Sequence, residues 1–215
     1  MNLRRLGVIA TTLGLATTAA VAVAPAASAA SADTGTRSLA AVLTSDGNRF
    51  DSNWYDYDIV TEAVLAVLAA KPASPVGLLT DGTVPLTAFI PNDRAFQVLA
   101  YDLTKRWPTT EQKTFDALVA AVGVDAIEQV LLYHVVPGAA ITKKAAVNAN
   151  GATLTTAQGG TIGVRVYSKY LPIVELRDKD PNDVNPFLNP RALDLNAGNA
   201  QIAHGIVFVL RPLDL

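Results

Sequence analysis

Two histidines are the side chains of this sequence that could most readily exchange a proton near neutral pH. His134 falls at helical spacing on a face with Ile127, Val130 and Leu131. His204 stands just before an apolar run. An imidazole can act as a base, as a metal ligand or as a hydrogen-bonded group in the core. Because the neighbours of His134 on its face are apolar, we expect a buried structural histidine.

A metal site is not predicted. Two histidines and one distant carboxylate lack the close ligand spacing of zinc motifs. An acidic segment begins like a calcium loop, with oxygen-bearing side chains at Asp178, Asp180, Asn182 and Asp183. However, the sixth position is Asp183 where glycine is needed, and the twelfth is Asn189 where glutamate is needed. We therefore predict a solvated acidic loop, no metal and no cofactor.

Hydrolytic chemistry has no complete signature in the sequence. There is no G-x-S-x-G motif, no glycine-rich phosphate loop and no cysteine. A pair of Asp93 and His134 could activate a serine, although no serine is marked by its context. We therefore predict a protein that is not an enzyme. Two alternatives stay open: an extracellular hydrolase that uses Asp93 and His134, and a carrier of a small apolar ligand, which requires an internal cavity.

An aromatic and acidic segment between Asp51 and Asp58 carries three rings with polar tips, Trp54, Tyr55 and Tyr57. Such rings dominate both cores and interfaces. We expect them to pack against the N-terminal end of the core, and contact with a protein or carbohydrate partner is the alternative. The three rings are therefore candidates for partner binding.

The first 30 residues have the pattern of a secretory signal peptide. Arg4 and Arg5 precede an uncharged apolar stretch, and small residues follow, with cleavage predicted at Ala29 or Ala32. We predict a signal peptide over 1–30, a polar linker over 31–37 and one domain over 38–215. The protein is then secreted, and association with the cell wall is compatible with the sequence.

Charge excludes two classes of partner. The chain has 17 basic and 19 acidic residues, and no run or stripe of lysine and arginine appears. Nucleic-acid binding and attraction to anionic membranes both need clustered cations, so neither is expected. No second long apolar stretch follows the signal, and we expect no membrane insertion after cleavage.

Periodicity divides the domain into helices first and strands later, which indicates an α+β domain. Helices are predicted after the caps Asp58, Asn92 and Thr109, with a break at Gly123 and a new start at Asp125. Short apolar runs predict strands at Leu86–Ile90, Leu154–Ala157, Thr161–Val166, Leu171–Leu176 and Ile206–Leu210.

Three segments together resemble the fasciclin domain family. They are Leu86–Phe96 (LTAFIPNDRAF), Leu131–Gly138 (LLYHVVPG) and Ile202–Pro212 (IAHGIVFVLRP). The first is similar to the family's strand–proline–helix motif, the second to its Tyr-His segment and the third to its closing strand. The chain departs from the family pattern where Asn92 replaces Thr or Ser, where Val207 replaces Asp, and where Ala200-Gln201 replaces the Asn-Gly before the histidine. From these three segments the chain is identified as a secreted bacterial member of the fasciclin domain family.

The resemblance implies a fold, a function and roles for residues. The fold is a wedge: a small β-sandwich of about seven strands flanked by several helices. The function is extracellular binding or cell adhesion, with a protein, cell-wall or matrix component as partner. Separately from the resemblance, we expect a monomer. Asp93 is the implied partner of His134, and Tyr133 binds a partner if its ring is exposed. The implied structural motif consists of Phe89, Pro91, Asp93, Phe96, Tyr133, His134 and His204.

Overall fold

Helices occupy the first part of the chain and strands most of the second part, as the change in periodicity predicts. The computed structural model describes residues 34–45, 47 and 50–214, so the predicted signal peptide lies outside the described residues. The helices are α1 Leu39–Leu43, α2 Asp58–Ala70, a 3-10 helix Pro75–Thr80, α3 Asp93–Thr104, α4 Glu111–Tyr133 and α5 Lys143–Ala146. The strands are β1 Leu86–Pro91, β2 Val135–Pro137, β3 Thr153–Thr155, β4 Thr161–Ser168, β5 Ile173–Arg177 and β6 Gln201–Ile206.

The strands form two small sheets. In the first, β1 lies in the centre, antiparallel to β2 and parallel to β6. In the second, β4 lies between β3 and β5, and all pairs are antiparallel. The predicted α+β class is confirmed, and so is the hairpin of β3 and β4. The described part of the chain has six strands, where about seven were expected.

Strand β1 is buried at every residue because it has core on both faces. Successive side chains of a strand point to opposite faces. Ala88 and Ile90 belong to the apolar cluster between the first sheet and the helices. Phe89 belongs to a second cluster that also contains residues of β4 and β5. The helical layer and the second sheet therefore share one central strand.

The last strand is displaced from its predicted position. Ile206–Leu210 was expected to be extended, but β6 runs over Gln201–Ile206 and ends where that prediction begins. The register places Ile206 opposite Pro91. The last bond between the two strands is donated by Asn92 N to Ile206 O at 3.4 Å. Asn92 is also the cap of α3, so the partner strand turns into a helix here and the ladder ends. The apolar run that follows is still largely buried, but without strand pairing.

Helix starts agree with prediction in part. Asn92 caps α3 as expected, because its side chain accepts a hydrogen bond from Ala95 N. The cap of α4 is Thr110 and not Thr109, since the Thr110 hydroxyl accepts from Lys113 N. Within α4, Gly123 has φ 76° and ψ 168°, so the helix is interrupted at the predicted break.

Part of the predicted linker is paired with the body of the domain. Gly35 forms a parallel bridge with Asn199, and its N–H donates to Gly198 O at 2.8 Å. Arg37 N donates to the Asn199 side chain at 2.9 Å. The packed structure therefore begins before Ser38. No helix in the described ranges has the length and apolar character needed to cross a membrane.

Candidate functional site: a surface groove beside a buried framework

His134 has a hydrogen bond at each ring nitrogen. Leu210 N donates to Nε2 at 2.9 Å, so Nε2 is an acceptor and the proton lies on Nδ1. Nδ1 then donates to Val130 O at 2.7 Å. Burial disfavours the imidazolium and lowers the pKa of His134 to about 4. With both nitrogens engaged, this side chain is neither a general base nor a metal ligand.

Asp93 does not pair with His134, which corrects the partner that the resemblance implies. Its two carboxyl oxygens accept hydrogen bonds from Asp58 N at 3.3 Å and Ile59 N at 2.9 Å. These N–H groups open helix α2, so Asp93 caps a helix other than its own. Asp58, predicted as that cap, is the first helical residue. Burial and the nearby Asp56 raise the pKa of Asp93 to about 9. The dyad required by the hydrolase alternative is not formed.

His204 is held in the same way as His134. Asp194 N donates to its Nδ1 at 3.2 Å, and its Nε2 therefore donates to Ile141 O at 2.7 Å. The ring stacks on Phe89 with 6.3 Å between centroids. Burial lowers the pKa of His204. Neither ring nitrogen is free for catalysis or for a metal.

The residues of the implied structural motif are all buried: Phe89, Pro91, Asp93, Phe96, Tyr133, His134 and His204. Tyr133 is not a candidate for partner binding, because its ring is fully buried. Its hydroxyl donates to Thr161 O at 2.8 Å, and burial raises its pKa to about 12. Partner contact by Tyr133 was conditional on an exposed ring, and that condition is not met.

The aromatic segment is fastened to the start of helix α3. Arg94 N donates to Trp54 O at 2.9 Å, and Asp93 N donates to Asp56 O at 3.2 Å. Backbone N–H groups in the first turn of a helix have no intrahelical partner, and here the segment provides one. Trp54 is half-buried, whereas Tyr55 is 75% exposed. The segment thus presents Tyr55 outward from a fixed backbone.

Tyr55 and Tyr57 line one open groove on the surface, with a volume of about 620 Å³. The opposite wall comes from the loop before β6. The groove is lined by Tyr55, Tyr57, Asn92, Asn189, Pro190, Arg191, Ala192, Leu195 and Val207. Its described lining combines two phenols, two amides, one guanidinium and apolar groups, without a carboxylate or an imidazole. Trp54 is not part of it.

Gly205 allows the two walls of the groove to approach each other. A Cβ atom at this position would lie 2.5 Å from the Tyr57 hydroxyl and 2.7 Å from Ala192 Cβ. Both distances are too short for any side chain, so the close approach depends on glycine. Tyr57 is half-buried here, and burial is the main cause that raises its pKa to about 12. Its hydroxyl therefore stays neutral and can donate or accept a hydrogen bond.

The acidic loop is an ion-pair partner and not a solvated loop, which corrects the sequence prediction. Buried Arg211 lies 2.6 Å from Asp102, 2.9 Å from Asp183 and 3.3 Å from Asp180, measured between nitrogen and oxygen. Its backbone N–H donates to Asp178 Oδ2 at 2.8 Å. The sequence carries no signal for this cluster, because Asp102 and Arg211 meet only through the tertiary fold.

A second group that sequence reasoning missed consists of Asp51, Asp56 and Glu111, whose carboxyl oxygens lie within 4.8 Å of one another. Glu111 begins helix α4 and is fully buried. Burial, the largest cause, raises the pKa of Glu111 to about 7. No local sequence motif predicts this group of carboxyl groups, because two members lie in an irregular segment and the third is distant in sequence.

The helical layer contains a partly open apolar cavity of about 200 Å³. Helices α2, α3 and α4 provide most of its wall, with Ile59, Phe96 and Leu118 among the lining residues. Pro212 and Leu213 complete it, and Leu213 is itself exposed at the surface. An apolar space with room for a small apolar ligand is therefore present, and it is partly open at Leu213.

Comparisons with known proteins give one family and a structural likeness. The model of the Fasciclin domain matches residues 61–185, more than half of the chain. A solved FAS1 domain pair from the insect cell adhesion molecule fasciclin I is similar, with a TM-score of 0.48 and 16% identity. The likeness covers 71% of this chain and 46% of that one. No curated protein matches the sequence.

Proposed function

Since the chain belongs to the fasciclin domain family, we propose that it is a secreted, non-catalytic module that binds a protein, cell-wall or matrix partner at the groove of Tyr55 and Tyr57. The single observation that carries this proposal is the groove itself. An exposed tyrosine and an arginine both line it, and the backbone beneath the tyrosine is fixed by hydrogen bonds. Tyrosine and arginine are enriched among the residues that dominate binding energies.

The attachment of the groove wall supports binding with little loss of conformational freedom. The carbonyl groups of Trp54 and Asp56 hold the aromatic segment on the first turn of α3. A site whose backbone is already ordered gives up less entropy when a partner docks. The exposed ring of Tyr55 and the exposed Arg191 can then make most of the new contacts.

A non-catalytic role is supported by the engagement of the groups that would otherwise do chemistry. Each nitrogen of His134 and His204 has a backbone partner, and Asp93 caps α2. The described lining of the groove holds no acid or imidazole to transfer a proton. The family's association with extracellular adhesion points in the same direction.

Replacing Tyr55 with alanine should weaken binding to the envelope fraction of the source organism by about tenfold or more. The melting temperature should stay within about 2 °C of wild type, since most of the ring is in water. Binding is measured by sedimentation of the purified chain with that fraction over a range of concentrations. Arg191→Ala should weaken binding as well.

Tyr170→Ala is the matched control, because Tyr170 is 98% exposed and lies between β4 and β5, outside the groove lining. It should bind like wild type. Equal losses in the Tyr55 and Tyr170 variants, or a loss in the Tyr170 variant alone, would move the binding surface away from the groove. Retention of the wild-type affinity in both groove variants would contradict the proposal.

A carrier of a small apolar ligand is the second candidate, and the cavity in the helical layer favours it. An enclosed apolar cavity of about 150 Å³ takes up benzene, so an apolar space of about 200 Å³ has room for a ligand of that size. Gln129 is the only polar residue among those that line the cavity in the described chain. A ligand held here is therefore a hydrocarbon and not a polar metabolite.

Saturating benzene should raise the melting temperature of the wild-type chain by about 2 °C or more, because it binds only the folded state. Ala126→Leu, which adds side-chain volume to the lining, should remove this rise. Ala120→Leu, on the same helix and outside the cavity lining, is the control that should keep it. An unchanged melting temperature of the wild type in benzene would exclude the carrier function.

A further inference from the structure

We propose that the chain binds a calcium ion between Asp51, Asp56 and Glu111. One carboxyl oxygen of each residue lies within 4.8 Å of the others. This arrangement places three ligand atoms around one point, although the side chains come from the aromatic segment and from the first residue of α4. The proposal does not rest on the function of the groove.

The independent observation is a buried oxygen without a partner. Glu111 is 0% exposed, and its Oε1 has no hydrogen-bond partner among the described residues. Its other oxygen accepts from Asp51 N at 2.5 Å, which fixes the carboxyl group toward the cluster. A buried carboxyl oxygen without a partner costs free energy, and a cation at this point would satisfy it. Oδ1 of Asp56 is buried and unpartnered in the same way.

No described basic side chain takes the place of the cation. The ion pairs formed by lysine and arginine in the described ranges involve other acids, and none includes Asp51, Asp56 or Glu111. Oxygens of Asp56, Asp58 and Asp93 also lie within 4.8 Å of one another, so two more carboxyl groups lie beside the cluster. Both oxygens of Asp93 already accept backbone N–H groups, so the ion is centred on the side of Asp51.

The chemistry of the donors selects calcium. All are carboxylate oxygens, which suit hard cations and not zinc or copper. Calcium takes six to eight oxygens in a flexible geometry, and it accepts water and backbone carbonyls among them. Asp51 is exposed, so this side of the site is open to water and to the entering ion. Magnesium demands a near-ideal octahedron, which an irregular segment is poorly suited to provide.

The ion would tie the aromatic segment to helix α4. Asp51 and Asp56 lie on either side of Trp54 and Tyr55, whereas Glu111 belongs to the helical layer. Calcium would therefore hold the groove wall at a second point, in addition to its hydrogen bonds with α3. Loss of the ion should loosen this wall before it affects the sheets.

The test uses the full chain, stripped with a chelator and then titrated with calcium chloride alone. At about 10 mM calcium, which exceeds the dissociation constants typical of weak extracellular modules, the melting temperature should rise by about 4–8 °C. Terbium, which replaces calcium and is sensitised by nearby aromatic rings, should luminesce when tryptophan is excited, and calcium should quench that signal. Magnesium should give a smaller rise.

Glu111→Gln should weaken calcium binding at least tenfold and remove most of the rise in melting temperature. Asp116→Asn, an exposed change on the same helix outside the cluster, should respond to calcium like wild type. Asp51→Asn is a second test variant at an exposed position. It should also weaken calcium binding, and it tests the site if Glu111→Gln does not fold. A wild-type chain that gains no stability from calcium and does not bind terbium would overturn the proposal. So would Asp51→Asn and Glu111→Gln variants that bind like wild type.

Discussion

Replacement of Arg211 by methionine should lower the free energy of unfolding by about 3–5 kcal/mol, the range for a buried ion pair that loses one partner. The side chain of Asp180 is 0% exposed and lies 3.3 Å from the guanidinium. Asp102 and Asp183 complete the acidic surroundings. Without the arginine, a buried carboxylate is left unpaired and three like charges face one another. Urea denaturation at neutral pH measures the loss.

Arg177→Met is the matched control for this change. The side chain of Arg177 is 52% exposed and pairs with Glu175 at 3.4 Å, so its removal should cost about 1 kcal/mol or less. The contrast between the two arginines follows from burial and not from the number of ion pairs. A loss below about 1 kcal/mol in Arg211→Met would mean that water reaches the cluster and screens its charges.

Replacement of His134 by glutamine should reduce the loss of unfolding free energy at acidic pH. The amide can keep both hydrogen bonds and cannot take up a proton. The pKa of His134 is about 4 in the fold and 6.5 without it. Above pH 6.5 both states are neutral, and the histidine contributes its full stabilisation. Between pH 6.5 and 4 only the unfolded chain binds the proton, so about 3 kcal/mol is lost as the pH falls.

The measurement is the difference in unfolding free energy between wild type and His134→Gln at pH 7 and at pH 4. The wild-type curve alone does not isolate the histidine, because Asp93 and Glu111 have raised pKa values and act with opposite sign. In the folded state Asp93 and Glu111 keep protons that they release in the unfolded chain. Their contribution to the free energy of unfolding is therefore present at low pH and lost as the pH rises. A difference that stays constant from pH 7 to pH 4 would show that His134 does not titrate as described.

Local signals in the sequence explain how much of the fold could be predicted. Asn92 caps the helix that follows it, Gly123 breaks α4, and the β3–β4 hairpin forms where alternation and glycines predict it. Each of these features depends on a few neighbouring residues. The predicted position of β6 was wrong because its end is set by the paired strand, which turns into α3 at Asn92, and no pattern within the run itself contains that limit.

Tertiary contacts explain what could not be predicted in the candidate site. Tyr55 and Tyr57 were identified from their types, but the loop that forms the opposite wall carries no binding signal. Asp93 was expected to meet His134, whereas it caps a helix that begins far earlier in the sequence. The resemblance of the Tyr-His segment made Tyr133 a candidate for partner binding if its ring was exposed, but its helix ends inside the core, where the ring packs with the second apolar cluster.

The pairing of β1 with β6 imposes an order on biogenesis. Leu86 lies beside Gln201, so the central strand has no parallel neighbour until the ribosome has made almost the entire domain. Contacts so distant in sequence slow folding, and the nascent chain can assemble only its local helices and hairpins beforehand. The core of the domain can therefore close only after β6 has been synthesised.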